Sequence, residues 1–345
     1  MHLLKQKIKN TFHIRLMIYL EFLEGQGLGN QLWNYVTLRS ISSKLGFGYE
    51  IINPENFKGK NFLDITYSEK HKKDLNSDYS NQKYYQYIFK EKLYYDKVLQ
   101  TFASDFDNEI LKIKSNTLIK GLFQSEKYLF NNDINKFIKL KKSNKKKLKN
   151  SQNVCLLNIR GGEYKRFKNL ILPKSYWLNA IKNMKKIEKK MEFLIITDDY
   201  NYAKNLLPQF KILKGELAED FTQLLQAKYL IVSNSSFSYF PITLGIKPVK
   251  VIAPCYWSRY GNTQKRWISP CNYYKNWCYQ NEKGEIISEV KIEKSINKTR
   301  QFYSTFNVLT TEEILAKKSL FSLFPKKFRK IIKKVLSKIF PLHIG

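Results

Sequence analysis

The chain has 345 residues, of which 43% are hydrophobic and 15% aromatic, and this composition excludes an intrinsically disordered protein. Its 61 lysine and arginine residues against 29 acidic residues leave a net charge of +32, yet only 8 of the basic residues are arginines. Because proteins that read bases rely on arginine, this balance favours a diffuse positive field over specific nucleic-acid recognition. An anionic membrane, an anionic substrate or genomic drift in composition explains the charge equally well.

The N-terminal part predicts a strand, a glycine loop and a helix in succession. The apolar run from Leu16 to Phe22 is the predicted strand. The loop after it contains Gly27, Gly29, Asn30 and Gln31, and apolar residues then recur at helical spacing. Backbone N–H groups of such a loop can approach a ligand closely. Helix capping is the alternative role of Asn30.

Three regions are predicted along the chain. Residues 14–150 form an N-terminal α/β domain that carries the glycine loop, and residues 151–310 form a second domain. Residues 311–345 form a basic tail. The boundary near Asn150 follows the run Lys139 to Lys149, which is almost entirely charged.

The second domain alternates between strands and helices. Predicted strands cover 154–159, 193–196, 209–213, 229–232 and 249–253, with helices at 175–190, 200–207 and 220–227 between them. A further helix is expected to start at the serines near 235. Such alternation is typical of a parallel, Rossmann-like sheet.

Polar residues follow three of these strands where each one ends. They are Asn158 and Arg160 after the first, Asp198 and Asp199 after the second, and Asn234, Ser235 and Ser236 after the fourth. Ligands bind outside the carboxyl ends of parallel strands, so we expect these residues to share one crevice. Turns and helix caps are the alternative explanation for the aspartates and serines.

The residue types indicate a site for a phosphorylated ligand. The guanidinium of Arg160 can bind a phosphate through two hydrogen bonds, and Ser235 with Ser236 can present hydroxyl and N–H groups to a second phosphate. Asp198 or Asp199 would repel phosphate and suits the N–H edge of a base or a sugar hydroxyl instead. Glu163 is the candidate base.

Cysteine spacing does not indicate a metal site. The four cysteines, which are Cys155, Cys255, Cys271 and Cys278, contain no C-x-x-C pair. We predict reduced thiols and no bound metal, with a disulfide between Cys271 and Cys278 as the alternative.

Five motifs together resemble family 11 glycosyltransferases, the α-1,2-fucosyltransferases. In chain order they are GLGNQLWNY, GLFQSEKY, NIRGGEY, ITDD and SNSSFSYF followed by VIAPCYW, within residues 16–260. The resemblance implies a two-domain α/β fold of GT-B type, whose C-terminal Rossmann-like sheet binds the nucleotide sugar. It also implies an inverting transfer from GDP-fucose without a metal or other cofactor.

The resemblance assigns roles by position. Arg160 matches the arginine that grips the donor diphosphate, and Ser235 with Ser236 matches the serine pair that contacts phosphate. Asp198 matches the aspartate that recognises guanine. The loop at Gly27, Gly29, Asn30 and Gln31 matches the one that faces the diphosphate.

The chain departs from the family pattern H-x-R-R-G-D-Y within the third motif. Asn158 replaces the histidine, Gly161 the second arginine and Glu163 the aspartate. A different nucleotide sugar and a non-catalytic nucleotide- or glycan-binding homologue are therefore alternatives. A nucleic-acid-binding protein is a third alternative, although no known motif of that kind is present.

The C-terminal residues predict a basic amphipathic helix over 325–341. Apolar residues recur on one face, while lysines and Arg329 occupy the other. This pattern indicates an anionic membrane surface as partner, and docking on the enzyme itself is the alternative. No run of 18 uncharged apolar residues occurs. We expect a peripheral protein on the cytoplasmic membrane face that acts on a glycan or lipid-linked glycan.

Overall fold

The fold is a mixed α/β architecture built around two separate parallel sheets. We describe a computed structural model over residues 16–69, 85–96, 98–99, 101–141, 153–268 and 273–305. One sheet uses strands from residues 17–120, and the other uses strands from residues 154–287. The predicted α/β class, with a Rossmann-like parallel sheet in the second half, is therefore confirmed.

The elements are numbered in chain order. The strands are β1 (Met17–Glu21), β2 (Gly48–Ile52), β3 (Leu63–Asp64), β4 (Tyr87–Lys90), β5 (Tyr94–Asp96), β6 (Thr101–Ala103), β7 (Thr117–Lys120), β8 (Lys139–Leu140), β9 (Val154–Ile159), β10 (Glu192–Thr197), β11 (Lys211–Leu213), β12 (Tyr229–Val232), β13 (Lys250–Pro254), β14 (Cys278–Gln280) and β15 (Ile286–Ile287). The α-helices are α1 (Leu28–Leu45), α2 (Lys174–Lys185), α3 (Tyr200–Leu206), α4 (Leu217–Leu225), α5 (Tyr239–Leu244) and α6 (Glu289–Ser304).

Strand order determines where a ligand crevice can form. The N-terminal sheet has the order β2-β1-β7-β4 with all strands parallel. The C-terminal sheet has the order β11-β10-β9-β12-β13-β14-β15, and β15 alone runs antiparallel to its neighbour. From β9 the chain proceeds to β10 on one side, whereas β12 lies on the other side. The β9–β12 boundary is thus the switch point where α/β sheets open a crevice.

Most predicted elements of the second domain agree with the structure, and two helix starts do not. Helix α4 begins three residues before the predicted Asp220, because Glu216 and Glu219 form a reciprocal capping box. The expected helix start at Ser235 and Ser236 is wrong, because α5 begins at Tyr239 after a turn.

Some sequence predictions lie outside the described residues. These are the boundary near residue 150, the tail 311–345 and the amphipathic helix 325–341. Within the described residues, no helix is long and apolar enough to cross a membrane. Cys155, Cys255 and Cys278 are free thiols.

The two halves share a continuous aromatic core. Trp33 of α1 is completely buried, and its ring stacks on Tyr239 of α5 with a centroid separation of 4.4 Å. Tyr274 lies 4.5 Å from Tyr239 and 5.9 Å from Trp33. Phe62 and Phe221 make a second contact between the halves, at 5.4 Å. Aromatic burial of this kind fixes the relative positions of the two sheets.

Helix α6 and the segment before it return to the N-terminal half through ion pairs. The Asp96 carboxylate is fully buried and accepts hydrogen bonds from Nε and Nη2 of Arg266 at 3.0 and 3.2 Å. Tyr303 of α6 donates to the same carboxylate at 3.3 Å. A second pair, Arg300 with Asp105, is more exposed.

Replacing Asp96 by Asn should destabilise the protein by about 3–5 kcal/mol, because the nearly buried guanidinium of Arg266 would lose its counter-charge. The matched change Asp105→Asn should cost about 1 kcal/mol or less, since its pair is partly exposed. Urea unfolding measures both values. Equal losses for the two variants would contradict the special role of Asp96.

Candidate functional site

Arg160 stands at the carboxyl end of β9, held by a carboxylate from the neighbouring strand. Its Nη1 lies 3.2 Å from Oδ2 of Asp198, and its guanidinium lies 5.6 Å from the centroid of the Tyr164 ring. The Arg160 side chain keeps 27% of its surface exposed. The guanidinium is thus oriented by its neighbours while part of it still faces the crevice.

The two glycines after Arg160 permit this close packing. The Gly161 N–H donates to Oδ1 of Asp198 at 2.9 Å. A Cβ on Gly161 would lie 2.7 Å from Cβ of Asp199, and one on Gly162 would lie 2.5 Å from Oδ2 of Asp198. A side chain such as the family's second arginine therefore has no room at position 161 in this arrangement.

Asp199 has a structural role in the described conformation. It caps α3 by accepting from the Tyr202 N–H at 3.0 Å, and Lys165 forms an ion pair with it. The hydrogen bond from Lys165 holds the pKa of Asp199 below its usual range. Lys165 is thus already paired, so it does not supply a free charge in place of the missing arginine.

The end of β12 brings a polar turn to the same crevice. Asn234 is buried, and its carbonyl accepts from the Tyr164 hydroxyl at 3.1 Å. Ser235 is also buried, and its Oγ accepts from the Phe237 N–H at 3.3 Å. Ser236 is partly exposed and follows directly. The predicted convergence of the strand ends is thus present, although through a turn instead of a helix N-terminus.

Several buried polar atoms in this crevice have no hydrogen-bond partner among the described residues. They are Asn158 Oδ1, Arg160 Nε, Ser233 Oγ, Asp220 Oδ1 and both side-chain atoms of Asn234. Most buried polar groups in proteins are hydrogen-bonded, because a buried group without a partner costs about 1–3 kcal/mol of stability. These atoms belong to residues at the ends of β9 and β12 and on α4, where a polar ligand would be able to pair with them.

Asp220 is a site residue that the sequence analysis missed. It lies on α4 close enough to Arg160 and Asp198 to interact electrostatically with both. Burial raises its pKa to about 7, with repulsion from Glu219 and Asp198 adding to the effect. Acidic residues are common in the first turn of a helix, where they complement the helix dipole. The position of Asp220 in the sequence therefore gives no sign of a role in the site.

The N-terminal loop reaches the crevice by direct backbone contact. A Cβ on Gly29 would lie 2.5 Å from the carbonyl carbon of Ser236 and 2.6 Å from the Phe237 nitrogen. Asn30 Oδ1 accepts from Ser236 Oγ and from Gln124 Nε2, each at 2.8 Å. Three of the five sequence motifs therefore meet at Asn30, which lies inside α1 and is not its cap.

The remaining predicted residues lie in different surroundings. Gln31 is completely buried. Its Nε2 donates to the Asn56 carbonyl at 2.8 Å and its Oε1 accepts from the Lys58 N–H at 2.9 Å, so the side chain fixes a neighbouring loop. Gly27 is the N-cap of α1 and has open space around it. Glu163 is exposed in the short 3-10 helix Gly162–Arg166.

The geometry defines an α/β protein whose parallel sheet has polar and charged side chains gathered at the carboxyl ends of its central strands. A partly exposed arginine supplies positive charge, and unpaired amide and carboxylate atoms supply specificity. Among the described residues no group of three or more histidine, cysteine, aspartate or glutamate side chains is arranged to hold a metal.

Comparison with known proteins gives the family. The profile of glycosyl transferase family 11 matches residues 24–281, which include every motif described above. The chain belongs to glycosyl transferase family 11, and the predicted GT-B-like pair of parallel sheets agrees with this membership. No curated protein matches the sequence significantly.

Several solved structures are similar at low identity. The α-1,6-fucosyltransferase NodZ soaked with GDP-fucose is 12% identical with a TM-score of 0.36, covering 67% of this chain and 93% of that one. A mutant of Arabidopsis thaliana FUT1 in complex with GDP is 10% identical with a TM-score of 0.42, covering 73% of each chain. The E. coli heptosyltransferase WaaC with ADP is 12% identical with a TM-score of 0.39, and the match covers 83% of this chain and 98% of that one.

Replacing Gly29 by Ala should destabilise the protein by about 1–3 kcal/mol, because the new methyl group would collide with backbone that cannot rotate away. The matched change Gly27→Ala meets nothing within 4 Å and should cost less than about 1 kcal/mol. Chemical denaturation of both variants measures the difference. A Gly29→Ala variant as stable as the parent protein would contradict the close contact.

Proposed function

We propose that the protein is an inverting glycosyltransferase that transfers fucose from GDP-fucose to a hydroxyl of a cell-surface glycan. Membership of family 11 supports the reaction class. The observation that carries the proposal is the set of buried, unpartnered polar atoms around Arg160 at the switch point of the C-terminal sheet. A nucleotide diphosphate offers both the negative charge and the hydrogen-bonding edges that such a set requires.

The residues divide into a phosphate side and a base side. Arg160 binds the diphosphate, and the hydroxyls of Ser235 and Ser236 assist it. Asp220 and Asn158 carry unpaired acceptor oxygens, which suit the N–H edge of a guanine. Both carboxylate oxygens of Asp198 are engaged, one by the Gly161 N–H and the other by Arg160. Asp198 can therefore contact the base only if the bound diphosphate draws Arg160 away from this carboxylate.

The chemistry is an in-line displacement at the anomeric carbon. The acceptor oxygen forms a bond to this carbon while the bond to the β-phosphate oxygen breaks, and GDP leaves with the electron pair. Arg160 stabilises the charge that develops on the leaving phosphate. The acceptor proton passes to a base, for which exposed Glu163 is the candidate. We propose that no metal takes part.

One observation supports a second candidate, a homologue that binds the nucleotide without transferring sugar. Position 161 lacks the second arginine of the family pattern, and its neighbours leave no space for one. The leaving group therefore has one fixed guanidinium beside it instead of two. A different donor sugar is compatible with the same geometry.

A panel of nucleotides tests the proposal directly. GDP and GDP-fucose should raise the midpoint temperature of thermal unfolding, whereas UDP and ADP should change it little. The protein should also hydrolyse GDP-fucose slowly. Stabilisation by UDP would redirect the choice of donor. Stabilisation by GDP without hydrolysis or transfer would favour the non-catalytic homologue.

Replacing Arg160 by Ala should lower the transfer rate by about 10²–10³, because the developing charge loses its stabiliser. The unfolding temperature without ligand should hardly change, since the Arg160–Asp198 pair is partly exposed. Lys211→Ala is the control, because it removes one positive charge from the same domain at the opposite end of the strands. Full activity of Arg160→Ala would overturn the assignment.

We also propose that residues 325–341 hold the enzyme at an anionic membrane, where lipid-linked glycan acceptors are found. Each basic residue close to an anionic leaflet contributes about 1 kcal/mol of attraction. A chain ending at Ser322 should therefore lose sedimentation with phosphatidylglycerol vesicles, whereas the full chain should bind them. Equal binding by both chains would reject this anchor.

A further inference from the structure

Glu91 carries a buried carboxylate that the proposed mechanism does not use. The residue is 4% exposed and follows β4, the edge strand of the N-terminal sheet. Its Oε2 accepts from the N–H groups of Leu122 and Phe123 at 2.7 and 3.0 Å, and its Oε1 accepts from the Tyr128 hydroxyl at 3.1 Å. All three donors belong to the GLFQSEKY motif.

No basic side chain among the described residues balances this carboxylate. The titratable groups that act on it are Tyr128 and Asp107, and Lys92 pairs with Asp107 at 3.5 Å. Burial raises the pKa of Glu91 to about 7, although the three hydrogen bonds oppose the shift. Burying a carboxylate without a counter-charge costs folding free energy. We therefore ask what its three hydrogen bonds hold in place.

The turn that Glu91 holds has an uncommon backbone conformation. Phe123 adopts φ 50°, in the left-handed region that side chains rarely occupy, and its ring is completely buried against Tyr128. A Cβ on the preceding Gly121 would lie 2.6 Å from Cβ of Glu91. Conformations of this kind cost about 1–3 kcal/mol and persist where the surroundings fix them. Glu91 provides two of the fixing hydrogen bonds.

The turn leads directly to the crevice. Gln124, the next residue, donates to Asn30 Oδ1, which also accepts from Ser236 Oγ, each at 2.8 Å. Two residues further, Glu126 accepts from the Tyr239 hydroxyl at 2.9 Å. The orientation of the turn therefore determines how the glycine loop and the Ser236 turn are held together.

We propose that Glu91 is a positioning residue for the active-site crevice. Its carboxylate fixes the Leu122–Phe123 turn, so that Gln124 holds Asn30 against Ser236 and the glycine loop stays at the donor site. The kinetic part of this inference rests on the proposed function, whereas the structural part does not.

The variant Glu91→Gln tests the structural part without any ligand. It keeps the volume and one acceptor oxygen, but the amide cannot accept from both the turn and Tyr128. Hydrogen exchange should become about tenfold faster in peptides covering 121–126, and also in 28–33 and 233–238, which Glu91 does not touch. The control Glu109→Gln removes an exposed carboxylate and should change none of them. Acceleration confined to 121–126 would overturn the proposal.

The same variant tests the kinetic part. Glu91→Gln should lower kcat about 10–100-fold with little change in the KM for GDP-fucose, because misplacement affects the reacting geometry more than donor affinity.

Measurements of stability against pH distinguish a positioning role of Glu91 from a role in stability alone. The folded pKa of Glu91 is raised, so the contribution of this residue to stability is fully present below pH 4.5 and is lost as the pH rises through about 7. The difference in stability between the wild type and Glu91→Gln should follow this course, because the variant lacks the titrating group. Altered stability with unchanged kcat and unchanged exchange at 28–33 would overturn the positioning role. If no variant, nor the wild type, transfers fucose, the proposed function fails, and the exchange data alone decide the role of Glu91.

Discussion

The contact between Gly29 and the Ser236–Phe237 peptide is the constraint on which the site depends. It brings the backbone at the start of α1 against the turn that follows β12, with no side chain between them. The carboxyl ends of the two sheets therefore open onto the same crevice. The stacking of Trp33 on Tyr239 extends this junction into a shared core, so that the crevice is not separable from the packing beneath it.

The first two basic residues that follow β9 are each paired with a carboxylate, although the chain carries +32 overall. Arg160 is paired with Asp198, and Lys165 is paired with Asp199. In the proposed complex, a diphosphate would have to compete with Asp198 for the guanidinium. The surplus of lysines creates a field that attracts anions from a distance, whereas at short range the crevice offers one arginine and the unpaired amide atoms around it. The net charge and the site thus act at different distances.

One departure from the family pattern, the glycine at position 161, agrees with the packing of the loop after β9. Gly161 and Gly162 lie so close to Asp198 and Asp199 that side chains at these positions would collide with the carboxylates. The Gly161 N–H donates a hydrogen bond to Asp198 at 2.9 Å, and the position carries no second cation. Arg160 is therefore the one arginine of this motif.

The sequence by itself determined the strand β9 at its observed bounds, the parallel sheet and the convergence of polar strand ends, because hydrophobic periodicity and turn residues act locally. It also determined the family, since five motifs occur in order. Only the tertiary structure decided that Gln31 fixes a loop, that Asp220 lies within electrostatic range of Arg160 and that Glu91 holds the turn before Gln124. These roles depend on residues that are distant in the chain, so no local pattern encodes them, and only packing brings the partners together.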